Sequence, residues 1–366
     1  MRRLPVLPLL LALMATPLFV GAAFDRPGSE RDNPFTFVEH QLRPSDGRTL
    51  QSVYGAASLP RGSVGAATVF PPDERWEVTD TTLYPFRLIT QVVMFNEYDE
   101  IDGTCSGVLL GPRLVLTAAH CIYSGGSYVS SVLVIPGQSG SDWPFGTGYG
   151  VKLAVPNGWA DGRGASNDPY GPPSPFDVGI IVLDITDWDA SIGPFPVVAS
   201  ASDAFFAKAE FLLGTAGYPG DKSIGTMWAS ETWNYFVDET YLYTDADIYE
   251  GQSGSPIFAL QGADSFIFSV VSGGNQSFNR SVRFTPQVTD ALEGYAEGFG
   301  VTLATYVFSD DEPTPTPTAT ATRPPSQTPT PVASPTPLPV PTATTAPGGV
   351  PNPRPYHLTT QQVSRD

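Results

Sequence analysis

The 366-residue sequence predicts an all-β domain, built as a sandwich or as paired barrels, on three observations. Short β-rich runs recur between Ser63 and Phe308: Leu88 to Phe95, Val108 to Leu116, Val132 to Pro136, Val178 to Leu183 and Ser265 to Val271. Clusters of Gly, Pro, Asn and Asp separate them, the punctuation of strands joined by turns. The stretch, about 245 residues, is long enough for two small barrels sharing one interface.

One helix is expected near the end of this domain. Thr285 suits its N-cap and Pro286 its first residue. Val288, Leu292 and Tyr295 then share one face at i, i+4, i+7.

The flanks differ in kind from the domain. Residues 1–23 begin with Arg2 and Arg3, continue through an apolar run from Leu4 to Val20, and end in the small residues Gly21-Ala22-Ala23. That is the pattern of a secretory signal peptide. Three prolines in the run argue against a membrane anchor, and no later segment is long and apolar enough to span a bilayer. Residues 24–62 are polar and carry little periodic apolar pattern, so a pro-segment is expected there. Residues 309–366 run through PTPTPTATATRPPSQTPTPVASPTP. Proline fixes φ and Thr adds little packing surface, so a disordered, extended tail is expected, its hydroxyls open to O-glycans. Such a tail suits display at a cell surface.

With 37 acidic against 19 basic residues the net charge is −18, which leaves no basic stripe to neutralise phosphates and excludes a nucleic-acid partner. The two cysteines, Cys105 and Cys121, should pair in an exported protein. Closing that loop stabilises by about 3 kcal/mol in the chain-entropy model.

The chemistry centres on EGQSGSPIF, Glu250 to Phe258. Ser253 is a nucleophile only if a base and an orienting acid lie elsewhere in the chain. Of the three histidines, His40 falls in the pro-segment and His357 in the tail, which leaves His120 in LTAAHCIY. A disulfide at Cys121 would hold that base in place. For the acid, Asp177 in SPFDVGIIVLD stands at the threshold of an apolar strand, while Asp168 and Asp184 compete from turn-like surroundings. The order His120, Asp177, Ser253 is not that of α/β-hydrolases, and Ser255 stands where their G-x-S-x-G elbow needs its second glycine, so a lipase or esterase is not expected. No Cys/His cluster suggests zinc and no acidic loop has EF-hand spacing, so no metal or other cofactor is expected. Asn275 and Asn279 head glycosylation sequons.

LTAAHC, FDVGIIVL and GQSGSP resemble the three active-site motifs of the chymotrypsin-like serine proteases. EVTDTTLYPFR, GTCSGVLLGPRLVLTAAHCIY, GYPGDKSIGTMW, DIYEGQSGSPIF and FNRSVRFT are similar, in the same order, to segments of the bacterial glutamyl endopeptidase branch. The resemblance implies two antiparallel six-stranded β-barrels with a C-terminal helix over residues 63–308, and an active site in the cleft between them. It implies a monomeric secreted endopeptidase acting on polypeptide substrates, with Ser253 attacking the peptide carbonyl and His120 shuttling the proton. Gly251 would permit the turn that aims its own N–H and that of Ser253 at the developing oxyanion. The alternative, a catalytically silent binding module on a stalk, is disfavoured because every member of the triad is kept.

Departures from the branch bear on activation and specificity. Gln252 replaces the Asp that many animal members pair with a freed N-terminus, so activation through that ion pair is not expected. Maturation is expected near Arg61-Gly62-Ser63. Ser272-Gly273-Gly274 should pair with the substrate backbone. Val271 stands where glutamyl endopeptidases carry a substrate-contacting histidine, and Glu250 near the pocket mouth would repel an acidic side chain. Asp247 decides little, since the branch shares it. Arg280, Arg283 and the mature α-amine are the remaining sources of positive charge. A weakened or altered preference for glutamate follows.

Overall fold

The computed structural model describes residues 33–42, 67–162, 174–184, 192–208 and 211–309. In chain order its strands are β1 (Phe37–Gln41), β2 (Trp76–Glu77), β3 (Ile89–Phe95), β4 (Ile101–Gly111), β5 (Leu114–Thr117), β6 (Tyr123–Ser124), β7 (Ser127–Tyr128), β8 (Ser131–Pro136), β9 (Gly148–Pro156) and β10 (Gly179–Leu183). There follow β11 (Val197–Ala201), β12 (Leu213–Gly217), β13 (Trp228–Thr232), β14 (Tyr235–Val237), β15 (Tyr241–Thr244), β16 (Pro256–Gln261), β17 (Asp264–Gly274), β18 (Asn279–Arg283) and β19 (Ala304–Phe308). The all-β, two-barrel architecture holds, and each expected β-rich run contains strand. The run Val108 to Leu116 is a hairpin rather than one strand: β4 and β5 flank Pro112-Arg113. Proline has no N–H to donate to a ladder, so the chain turns there.

The first barrel is closed. Its order is β9-β10-β5-β4-β3-β8, and β8 pairs back onto β9. The apolar residues of these strands fill it, among them Leu109, Val115, Leu116, Val134 and Ile181, each fully buried.

Onto this barrel β1 adds an outer strand, in register from Phe37 opposite Pro156 to Gln41 opposite Lys152. Part of the expected pro-segment is therefore packed structure. Phe35 meets the Phe176 ring edge-on, Phe37 rests on Tyr295, and the Tyr128 hydroxyl donates to the Val38 carbonyl at 2.8 Å. The strand is held through its backbone while most of its side chains face solvent, so it leaves no apolar alternation in the sequence. Residues 1–32 and 43–66, which hold the expected signal peptide, the rest of the pro-segment and the first four residues of the expected domain, lie outside the described residues, as does the tail beyond 309.

The second sheet follows β14-β15-β18-β17-β16-β12-β13-β2 without closing into a ring, so this barrel is half-open. Strand β11 runs parallel to both β17 and β19. Phe205, Phe206, Phe211, Phe268 and Phe308 form an aromatic core beneath it. The helix Pro286–Glu297 appears where expected, with extended Thr285 before it and Val288 and Leu292 buried. Thr285 caps with its carbonyl, which accepts the N–H of Thr289 at 3.0 Å, and not with its hydroxyl.

Candidate active site

His120 and Asp177 come from neighbouring strands of the closed barrel. β5 runs into a helical turn, Ala119–Ile122, that carries His120. β10 pairs antiparallel to β5 with Gly179 opposite Thr117, which sets the residues just before β10 beside those just after β5. Asp177 reaches His120 twice: Oδ1 accepts its backbone N–H at 2.9 Å and Oδ2 pairs with Nδ1 at 2.7 Å. Oδ2 also accepts the Ser272 hydroxyl at 2.5 Å. Burial opposes the charge on Asp177. The His120 ring and these hydrogen bonds outweigh it and hold the carboxyl below the usual carboxylate range. With Nδ1 donating to Asp177, Nε2 is left as the acceptor nitrogen, and it has no partner among the described residues. Cys105 and Cys121 form the expected disulfide, with Cα atoms 6.2 Å apart, so the residue after His120 is tied to β4.

Ser253 sits on a turn pressed against the same barrel. Gly251 has φ +95, and a Cβ there would come 2.5 Å from the Tyr218 carbonyl oxygen, so only glycine fits. The turn leaves the N–H groups of Gly251 and Ser253 without acceptors among the described residues. Ser106 of β4 ties it down: its N–H donates to the Ser253 carbonyl at 2.8 Å, and its hydroxyl donates to the Gly251 carbonyl at 2.8 Å while accepting the Tyr218 N–H at 2.9 Å. The Ser253 carbonyl lies 3.8 Å from Cys121 Sγ, which places the serine beside His120. No hydrogen bond joins the Ser253 hydroxyl to Nε2. A charged, oriented acid, an imidazole with one open nitrogen, a hydroxyl and two free N–H donors are the groups needed for attack on an acyl carbon.

Ser272, Gly273 and Gly274 end β17. β16 pairs with β17 only as far as Pro256 opposite Val270, and Gly254 and Ser255 extend the contact to Val271. From Ser272 onward that edge of β17 has no partner among the described residues. Val271 is wholly buried in the second core with Ile248. Glu250 is half-buried, and its carbonyl accepts the Gly220 N–H at 2.7 Å. Gln252 turns back on its own loop, accepting the Tyr249 N–H at 3.0 Å.

Several sequence candidates are occupied elsewhere. Asp247 accepts the N–H groups of Phe70 and Glu74 at 2.6 and 2.7 Å. Arg283 pairs with Asp203 and donates to the carbonyls of Asp238 and Ala201. Asp184 accepts the Tyr149 N–H at 3.2 Å on the barrel rim, and Asp168 lies outside the described residues. Asn279 is fully buried: its amide bonds both the N–H and the carbonyl of Thr68 and the carbonyl of Ala246, so this sequon carries no accessible nitrogen, whereas Asn275 is exposed. The roles of Ser106 and Asn279 left no local mark in the sequence, because their partners Gly251 and Thr68 lie more than a hundred positions away.

The one described grouping with metal-ligand types is Cys105, His120 and Cys121. Its two sulfurs are bonded to each other and offer no thiolate. Among the described residues, no helix is long and apolar enough to cross a membrane.

A family model described as a trypsin-like peptidase domain matches residues 105–263. The chain is 32% identical over 243 residues to a glutamyl endopeptidase of Bacillus licheniformis, covering 62% of this chain and 69% of that protein. It is 26% identical over 313 residues to a Bacillus subtilis protein named extracellular metalloprotease (78% and 95% covered), and 23% identical to a glutamyl endopeptidase of Staphylococcus epidermidis (77% and 92% covered). A solved Glu endopeptidase structure, 22% identical, superposes with a TM-score of 0.53 over 63% of this chain and 100% of that one, which shows the fold.

Proposed function

The chain belongs to the glutamyl endopeptidase branch of the trypsin-like serine peptidases, and from that membership we propose that Ser253, His120 and Asp177 are its catalytic triad. One observation carries the reading. Asp177 takes Nδ1 and leaves Nε2 as the open ring nitrogen, in the cleft that also holds the Ser253 hydroxyl and the two acceptor-free N–H groups. Ser253 attacks the peptide carbonyl as His120 takes its proton. The oxyanion forms against the N–H groups of Gly251 and Ser253. His120 then protonates the leaving amine, and water repeats the sequence on the acyl-enzyme. Labelling by a fluorophosphonate probe tests this: wild type should label and hydrolyse peptides, and Ser253→Ala should do neither. A wild-type protein that does neither is the silent binding module.

The leader and the polar segment after it support export and removal of residues 24–62. Asn279 and Asp247 hold Thr68, Phe70 and Glu74, so a chain starting at Ser63 has its new end anchored a few residues downstream. N-terminal sequencing of the secreted protein checks the cut.

Preference for glutamate before the cut is weakened in this reading. Val271 is apolar and buried, Arg283 is paired, and Asp247 is held by backbone. The measurement is kcat/KM on matched peptides. A hundredfold preference for Glu over Leu or Ala, about 3 kcal/mol, would overturn the reading and point to Arg280 or the mature α-amine.

A further inference from the structure

The substrate strand proposed along Ser272–Gly274 would put alternate side chains on opposite faces of the sheet. One face is that of Asn279, opposite Gly274 in the register, where Thr68, Ala246 and Ile248 gather. This is the face of the residue before the cut. The other face is marked by a lateral row across four strands: Gly273 opposite Arg280, Arg280 opposite Tyr243, Tyr243 opposite Phe236. Because Gly273 has no side chain, nothing on β17 stands between the substrate edge and Arg280.

Arg280 is only half-buried and lies in no ion pair among the described residues. Its Nε is buried without a hydrogen-bond acceptor. Its guanidinium lies 5.8 Å from the centre of the Tyr241 ring. The Tyr241 hydroxyl is likewise buried and unpartnered. Burial pushes that hydroxyl far above its ordinary range, so it remains a donor at any working pH. Two donors and one positive charge thus lie together with no acceptor among the described residues. Buried donors are normally paired.

We propose that Arg280 and Tyr241 form a subsite for a carboxylate side chain on the second residue before the cut, so that the enzyme selects Asp or Glu there. This inference rests on the proposed substrate path. The substrate edge and β18 flank β17, about 10 Å apart at sheet spacing, a gap that a long arginine stem and an acidic side chain can bridge once Gly273 leaves it open. Phe236 and Tyr243, ring-stacked at 4.6 Å, continue the row beyond the arginine.

The test compares peptides that differ only in Glu against Gln at that second position. With wild type the Glu peptide should have a kcat/KM about tenfold higher, the scale of one charge-assisted hydrogen bond. Arg280→Gln should bring the ratio near one, and Tyr241→Phe should lower it partway. Equilibrium binding of the same two peptides to the Ser253→Ala protein separates the inference from the catalytic reading. A Glu preference in binding, with no turnover by wild type, supports the subsite and removes the triad. Turnover with equal kcat/KM for the two peptides overturns the subsite and leaves the triad standing. A Glu preference that survives Arg280→Gln, or one that appears only at the residue before the cut, also overturns it.

Discussion

The two barrels are built to different tolerances. The first is a closed ring with a covalent cross-link, and it holds the proposed acid and base, Asp177 and His120. The second is an open sheet, and it carries the proposed nucleophile, Ser253, on a glycine turn whose shape is set partly from outside, by Ser106 of the first barrel. Proton transfer demands fixed geometry between donor and acceptor, which a closed barrel supplies. The oxyanion turn needs a conformation that most residues cannot adopt, and it takes its support from across the interface.

The comparison breaks first at the triad. Ser253→Ala, His120→Ala and Asp177→Asn should each lower kcat/KM by about ten-thousandfold or more, with double variants little worse than single ones, and Ser253→Ala should leave the melting temperature close to wild type. Near-normal turnover by Asp177→Asn would remove the acid from its role.

The interface comes next. Ser106→Ala removes the hydroxyl that bonds the Gly251 carbonyl, which should cost about 1–3 kcal/mol of stability and slow turnover by loosening the Gly251 turn. Denaturant unfolding together with kcat gives both numbers. Lost stability with unchanged kcat would mean that the turn holds its own shape.

A cross-link of this loop size contributes about 3 kcal/mol, so Cys105→Ser with Cys121→Ser should lower the unfolding free energy by that order. The loss should fall on the barrel holding His120, read as lost amide-exchange protection in β4 and β5 before β16 and β17.

Acid should also act unequally. Asp177 has its folded-state pKa held below that of the unfolded chain, so its contribution to stability is present above about pH 4 and is lost as pH falls through the lower folded value. Asp73, whose hydrogen bonds to Arg75 hold its carboxyl low against the cost of burial, behaves in the same way. Asp177→Asn should flatten the acid limb of a melting-temperature profile. Wild-type stability that rises on acidification below that point would contradict the sign.

The smallest effect is expected from the tail. Truncation after residue 310 keeps β19, whose Phe308 is buried in the second core, and should leave melting temperature and turnover almost unchanged. A large loss would mean that the tail packs after all.

Much of the site was legible in the sequence because its chemistry needs rare residues. Elimination among histidines and an acid at a strand threshold led to His120 and Asp177, which the fold does bring together, while His40, set aside as part of the pro-segment, lies on β1. The helix after Thr285 was legible from its apolar spacing. Strands β1 and β19 were not, because backbone ladders hold them and their side chains are largely exposed, so neither shows the alternation that marks a half-buried strand. Ser106 was invisible for a different reason. In GTCSGVLL it is one small residue among several, and only the folded chain brings Gly251 to its hydroxyl.

The disulfide has a further consequence, set by its neighbours in the chain. Cys105 precedes Ser106, which holds the nucleophile turn, and Cys121 follows His120. The bond therefore staples the support of the serine to the support of the base. A chain still in a reducing cytosol would lack that staple at the place where the two halves of the machinery meet, and would acquire it on reaching an oxidising compartment. Export would then act as a chemical safety catch, one that keeps the producing cell's own proteins out of reach before any segment of the chain is cut.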